Sequence, residues 1–241
     1  MSDGVNLRES NIALLIDADN ASPDHFDEVL LVLGEFGTIN VRRAYGNWQK
    51  PSLKGWASLT GEHSIVPIQQ FDVSKGKSAT DMRMIIDAMD LVYRGTIDGF
   101  GIMSSDSDFL PLAQRIREDG VPVYGFGTTK TPPPFQQACT RFFDIAALAL
   151  SGQDEPTKGD AEARRKVDDE LLKVLGAAFK ACKRDEDGYA SLAELGQRAT
   201  AVSSFSARNY GYPKLSDLIR AVPNFDVKTG ADGRALVKRL R

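Results

Sequence analysis

Short apolar runs alternate with amphipathic stretches along the first part of the chain. Five runs read as strands: Ile12 to Ile16, Ile39 to Tyr45, Ile65 to Phe71, Gly99 to Met103 and Val121 to Phe126. Each is mostly apolar on both faces, which predicts a strand covered from both sides of a sheet. Helical periodicity fills the gaps. It is clearest from Thr80 to Tyr93, where Met82, Ile85, Ile86, Met89 and Tyr93 fall on one stripe, the pattern of an amphipathic helix that covers a sheet. A helix is predicted from Pro23 to Phe36, with Ser22 as N-cap and Pro23 at its first position, and another from Phe109 to Glu118, closed by Gly120. Apolar strands alternating with helices imply a doubly wound α/β fold, a parallel sheet with helices on both faces.

The pattern changes at SGQDEPTKGDAEA, Ser151 to Ala163, which is polar, charged and without apolar periodicity. We read residues 10–150 as one domain, 151–163 as a linker and 164–241 as a second domain. The second part reads helix, short strand or turn, helix, turn, helix, hairpin, ending in FDVKTGADGRALVKRL, where Gly-containing turn chemistry separates two alternating runs. Three helices and a hairpin make a winged-helix pattern.

Charge sharpens the division. Residues 1–164 carry 15 Lys and Arg against 23 Asp and Glu, whereas residues 165–241 carry 15 against 10, so an acidic part precedes a basic one. The apolar runs are far shorter than a membrane span, and the start, MSDGVNLRES, has no apolar signal segment, so the chain reads as cytoplasmic and mature as written. Cys139 and Cys182 lack a CxxC pattern or a neighbouring His and read as two buried free thiols. His25 and His63 are isolated, and surface or packing roles suit them better than ligation.

Candidate chemistry begins at LLIDADN, where an apolar strand ends in Asp17, Asp19 and Asn20. Doubly wound sheets bind ligands outside the carboxyl ends of their strands, at the point where strand order reverses. With the order 3-2-1-4-5, strand four abuts strand one, and its end, GIMSSDSDF, brings Asp106 and Asp108 beside Asp17. Asp81, in the first turn of the preceding helix, reaches the same crevice. Each acid alone reads equally as a cap or turn residue, and Asp108 before Phe109 and Pro111 suits a cap. Four converging carboxylates repel one another unless a cation sits among them, and hard oxygen ligands suit Mg²⁺ or Mn²⁺.

NIALLIDADN, KGKSATDMRMIIDAM, IMSSDSDFLPLAQRIREDGVPVYGFG and ACTRFFDI resemble the NYN domain, a branch of the PIN-like nucleases related to LabA-like proteins. The resemblance implies a Rossmann-like PIN-type sheet and a metal-dependent ribonuclease. Asp17, Asp81, Asp106 and Asp108 would hold the cation, Asn20 would assist, and cleavage would leave a 5′-phosphate. The family often has D-G-x-N where this chain has Asp17-Ala18-Asp19-Asn20, so Asp19 adds a charge without an assigned role. FSARNYGYPKLSDLIRAVPNFDV resembles the OST-HTH/LOTUS domain, which implies an RNA-binding module or one that docks a protein partner such as a helicase.

Arg208, Tyr210, Tyr212, Lys214 and Arg220 interleave cations with aromatics, the combination that neutralises phosphate and stacks unpaired bases. An acidic crevice does not attract RNA unaided, so Arg42, Arg43, Lys50, Lys75 and Lys77 are candidate rim cations, with RRAYGNW read as following the second strand. Two alternatives stand beside the nuclease. One is a haloacid-dehalogenase-like phosphatase with Asp17 as nucleophile and Asp19 as general acid. The other is a non-catalytic RNA-binding or scaffold protein.

Overall fold

A computed structural model describes residues 9–71, 79–151, 167–230 and 233–240, and the chain divides into two compact units between Cys139 and Thr140. In the first unit, β1 (Asn11–Asp17) is buried from Ile12 to Asp17 and pairs in parallel with β2 (Thr38–Gly46) on one side. On its other side it pairs in parallel with β4 (Gly99–Met103). β3 (Val66–Gln69) joins β2, and β5 (Val123–Gly127) joins β4, both in parallel. Within the first unit the sheet order is β3-β2-β1-β4-β5, and β6 (Arg141–Asp144) belongs to the second unit. The chain runs outward from β1 to β3 and then crosses back to β4, so order reverses at the β1/β4 boundary, as the sequence predicts.

The helices are α1 (Phe26–Gly34), α2 (Lys54–Glu62), α3 (Ala79–Arg94), α4 (Leu110–Glu118) and α5 (Pro133–Ala138). α1 lies so close to β4 that a Cβ at Gly101 would come within 2.7 Å of Leu33 Cδ2. Only glycine permits that approach without repacking. Gly120, with φ of 80°, follows the end of α4 in the left-handed region that favours glycine.

Two predicted features differ. α1 begins at Phe26, not Pro23, because the Ser22 hydroxyl caps the Asp24 amide in a local turn and His25 takes a left-handed conformation at the helix start. On α3 the face turned to the sheet carries Thr80, Asp81, Met84, Asp87, Ala88 and Leu91, while Met82, Ile86 and Tyr93 of the predicted stripe are exposed. Asp87 is tolerated on the inner face because Arg43 (3.2 Å) and Tyr45 Oη (3.2 Å) both reach it from β2, and Arg83 lies 3.4 Å away.

The second unit holds β6, α6 (Ile145–Ser151), α7 (Asp169–Ala181), β7 (Ala190–Ser191), α8 (Leu192–Val202), α9 (Leu215–Ala221) and the hairpin β8 (Phe225–Thr229) and β9 (Ala235–Arg239). β9 lies between β7 and β8, antiparallel to both, and forms the wing. Asp168 caps α7 by accepting from the Leu171 amide at 2.8 Å. Leu175, Phe179, Leu195, Leu218, Ile219 and Val237 fill the core. The architecture is thus the expected α/β sheet followed by a small winged helix. Asn209 anchors β6 here, since its side chain donates to the Phe142 carbonyl (2.7 Å) and accepts from the Asp144 amide (3.0 Å).

Both thiols, Cys139 and Cys182, are free and buried. His63 lies edge-on to Phe26, a packing role, and His25 sits 3.5 Å from Glu28. Among the described residues, no helix is long and apolar enough to cross a membrane.

Candidate active site

At the β1/β4 boundary, Ile16 stands in register with Met103, so the next residues, Asp17 and Ser104, leave the sheet side by side. Ser104 Oγ donates to Asp17 Oδ2 at 2.8 Å, and Asn20 Nδ2 donates to the same oxygen at 3.0 Å. Asp17 Oδ1 is buried and has no hydrogen-bond partner. Burial pushes the Asp17 carboxyl up from 3.8 to about 6; the two hydrogen bonds oppose that rise, and the nearby charges of Asp81 and Asp19 add to it.

The Ser104 hydroxyl also accepts from the Asp106 amide at 3.1 Å, so it joins the end of β1 to the loop after β4. Asp106 caps the short 3₁₀ turn Ser107–Phe109 by accepting from the Asp108 amide at 2.9 Å. The cap is therefore Asp106, not Asp108. Carboxylate oxygens of Asp81, Asp106 and Asp108 lie within 4.8 Å of one another. Three of the four expected ligands converge in that group. Asp17 stands deeper, fully buried beside it, whereas Asp108 is exposed.

Asp19 has a different use. Its carboxylate accepts from Thr80 Oγ1 (3.0 Å) and the Asn47 amide (3.3 Å), and it pairs with Lys50 Nζ (3.2 Å). It fastens the end of β1 to the loop after β2 and to the start of α3. Sequence reasoning missed both Ser104 and this tie; Ser104, as the first residue past an apolar strand that neighbours β1, was the available signal.

The donor set fits a hard divalent cation. Three oxygens converge within reach of one ion, and the buried unpartnered Oδ1 of Asp17 is an acceptor that the protein itself does not satisfy.

The predicted rim cations need correction. β2 extends to Gly46, so Arg42 and Arg43 lie inside the strand and not beyond it. Arg42 donates to the Ile39 and His63 carbonyls, and Arg43 is committed to Asp87. Lys50 does stand past the strand end, paired with Asp19. Lys75 and Lys77 lie outside the described residues.

In the second unit, a cavity of about 770 Å³ is lined by Lys214 and Ser216 at the start of α9, Gln197 and Thr200 on α8, Arg234 of the wing and Arg141 of β6. Three cations and no acid line it. Of the five predicted RNA contacts only Lys214 lines it. Tyr210 is buried in the core, which leaves its ring no open face for a base, and Tyr212 packs half-buried against the same core. Arg208 lies in the 3₁₀ turn Ala207–Tyr210, and Arg220 pairs with Asp217 at 3.2 Å.

A parallel sheet with acids gathered at its switch point, followed by a winged helix, is the architecture of a PIN-like domain joined to a small winged-helix module. The NYN domain model matches residues 11–147 and the OST-HTH/LOTUS domain model residues 164–237, and the chain belongs to the NYN family. An uncharacterized protein of Methanocaldococcus jannaschii is 31% identical over 170 residues, covering 69% of this chain and 65% of the relative. The chain thus spans about 65% of that curated relative's length. The crystal structure of a protein of unknown function from Vibrio parahaemolyticus aligns over 60% of this chain and 96% of its own, at 18% identity and a TM-score of 0.47.

Proposed function

We propose that the chain is a divalent-metal-dependent ribonuclease that hydrolyses RNA phosphodiesters, with residues 10–150 as the catalytic domain and residues 164–241 as the module that captures RNA. The observation that carries this reading is the convergence of Asp81, Asp106 and Asp108 beside the unpartnered Oδ1 of Asp17 at the switch point. Mg²⁺ or Mn²⁺ held there would act as a Lewis acid and lower the pKa of a bound water.

The chain's own residues have separable roles. Asp81, Asp106 and Asp108 would hold the cation, and Asp17 would complete the acceptor set from below. Ser104 and Asn20 keep Asp17 in one orientation and favour its charged form. Attack of water on phosphorus would break the bond to the 3′-oxygen, leaving a 5′-phosphate and a 3′-hydroxyl. Asp19 acts as a brace, since Thr80, Asn47 and Lys50 already engage its carboxylate, and this disfavours the general-acid role a phosphatase would need.

Capture of RNA is assigned to Lys214, Arg234 and Arg141, whose cavity offers cations for phosphate and the hydroxyl and amide groups of Ser216, Thr200 and Gln197 for the rest of a nucleotide. Two buried free thiols suit a reducing cytoplasm. The reading is tested by incubating the purified chain with labelled single-stranded, hairpin and G-rich RNAs, with and without Mn²⁺. Cleavage that requires the ion supports it; binding of all three RNAs without cleavage of any leaves a non-catalytic RNA-binding protein.

A further inference from the structure

The apolar stripe of α3 has no place in the fold's own core. Met82, Ile86 and Tyr93 are 59%, 52% and 81% exposed, with Ile85, Met89 and Val92 half-buried beside them, while Met84, Ala88 and Leu91 pack inward. The helix is therefore apolar on two opposite faces, and one of them is solvated.

The outer face has a regular seam. Met82, Ile86, Met89 and Tyr93 are spaced by four, three and four residues, the repeat by which one helix seats against another. We infer that α3 is the contact helix of a two-fold symmetric dimer of this chain, pairing antiparallel with α3 of a second copy.

The choice of occupant rests on self-complementarity, which a two-fold contact demands of one surface. With the axis at the level of Asp87 and Ala88, Met82 meets Tyr93 of the partner subunit and Ile86 meets Met89 of the partner subunit. On one flank Arg83 then faces Asp90 of the partner subunit, and symmetry repeats the pair. On the other flank Ile85 faces Val92 of the partner subunit. Opposite charges thus meet along one edge and apolar groups along the other, with no like charges opposed. Arg83 already leans on Asp87 of its own chain at 3.4 Å but is half-exposed, which leaves its guanidinium room for a second carboxylate.

One pair of helices of about 24 Å buries less than a standard obligate interface, so the dimer should be reversible and concentration-dependent. The inference does not depend on catalysis. Its consequence is nonetheless local, because Met82 directly follows Asp81 and the seam begins one residue from the acid cluster.

Sedimentation velocity of the full chain over a wide concentration range tests it, with far-UV circular dichroism and melting as controls for folding. The wild type should shift from monomer to dimer, and Ile86→Glu should stay monomeric with an unchanged melt. Asp90→Arg should weaken association roughly fivefold, and adding Arg83→Glu should restore it. A wild type that remains monomeric throughout overturns the inference. So does an Ile86→Glu variant that still dimerises, or one whose melting collapses, since the stripe would then be covered by the chain itself. Failure of the double variant to recover rejects the antiparallel register.

Discussion

Ser104 Oγ donates to Asp17 Oδ2 at 2.8 Å across 87 positions of sequence, and Ser104 Oγ itself accepts from the Asp106 amide. One hydroxyl therefore sets the distance between the buried acid of β1 and the acid loop after β4. Ser104→Ala should raise the Asp17 carboxyl further, because the removed bond favours its charged form. Carbon-detected NMR titration of Asp17 in chelator checks this: an upward shift is expected, and an unchanged value would show that the hydroxyl does not act on the carboxylate.

Asp17 also makes a pH-dependent contribution to stability. Its folded value of about 6 lies above the ordinary 3.8, so between those values the folded state binds more protons than the unfolded state. Stability contributed by this group therefore falls as pH rises from about 4 to about 6, and the cost, on the order of 3 kcal/mol for the fully buried group, is complete above that window. In chelator, Asp17→Asn should be more stable than wild type at pH 7 and should lose that part of the slope. Urea unfolding at several pH values measures both; equal stability and slope would contradict the assigned desolvation.

Arg43 forms an ion pair with Asp87 at 3.2 Å. Arg43→Met leaves Asp87 on the inner face of α3 without its main cation and should destabilise the first unit by about 2 kcal/mol. Adding Asp87→Leu should recover much of the loss. RNA affinity measured on the folded variant should equal that of wild type; a selective loss of affinity without a stability change would return Arg43 to the rim.

The groove of the second unit makes a separate prediction. Lys214→Ala and Arg234→Ala should each weaken RNA binding about uniformly across sequences and lower the salt slope by about one unit. In turnover they should raise KM more than they lower kcat. Point variants are preferable to a chain cut near residue 150, because removing the second part strips Phe142 and Asp144 of their bonds to Asn209. Unchanged affinity and salt slope in both variants would direct attention to a protein partner for this module.

Legibility of the sequence followed a physical rule. The β1/β4 neighbourhood is readable because apolar strands locate the sheet, and topology then places whatever polar residues follow them; the nearness of Asp81, Asp106 and Asp108 to one another follows this way. On α3 the expectation differs from the structure because periodicity reports that a helix has an apolar stripe but not which stripe is inside. Two carboxylates, Asp81 and Asp87, lie on the true inner face, and the tertiary partners Arg43 and Tyr45, with Arg83 beside them, make Asp87 tolerable there. Arg42 and Arg43 were misplaced because a charged pair resembles a strand end, whereas their long stems let the cations find carbonyl and carboxylate partners beside the strand. Tyr210 looked like a stacking platform because an aromatic beside a cation looks alike in a core and on a surface.

The account turns on the three convergent carboxylates. Its most direct test is cleavage of one labelled RNA by wild type, Asp81→Asn and Asp106→Asn, each with Mn²⁺ and with chelator. Wild type should cleave only with the ion, and both variants should fall by about a hundredfold or more while retaining their RNA affinity and their fold. Cleavage by wild type in chelator, or full activity in both variants, would contradict the assignment of Asp81, Asp106 and Asp108 to a metal-dependent nuclease site.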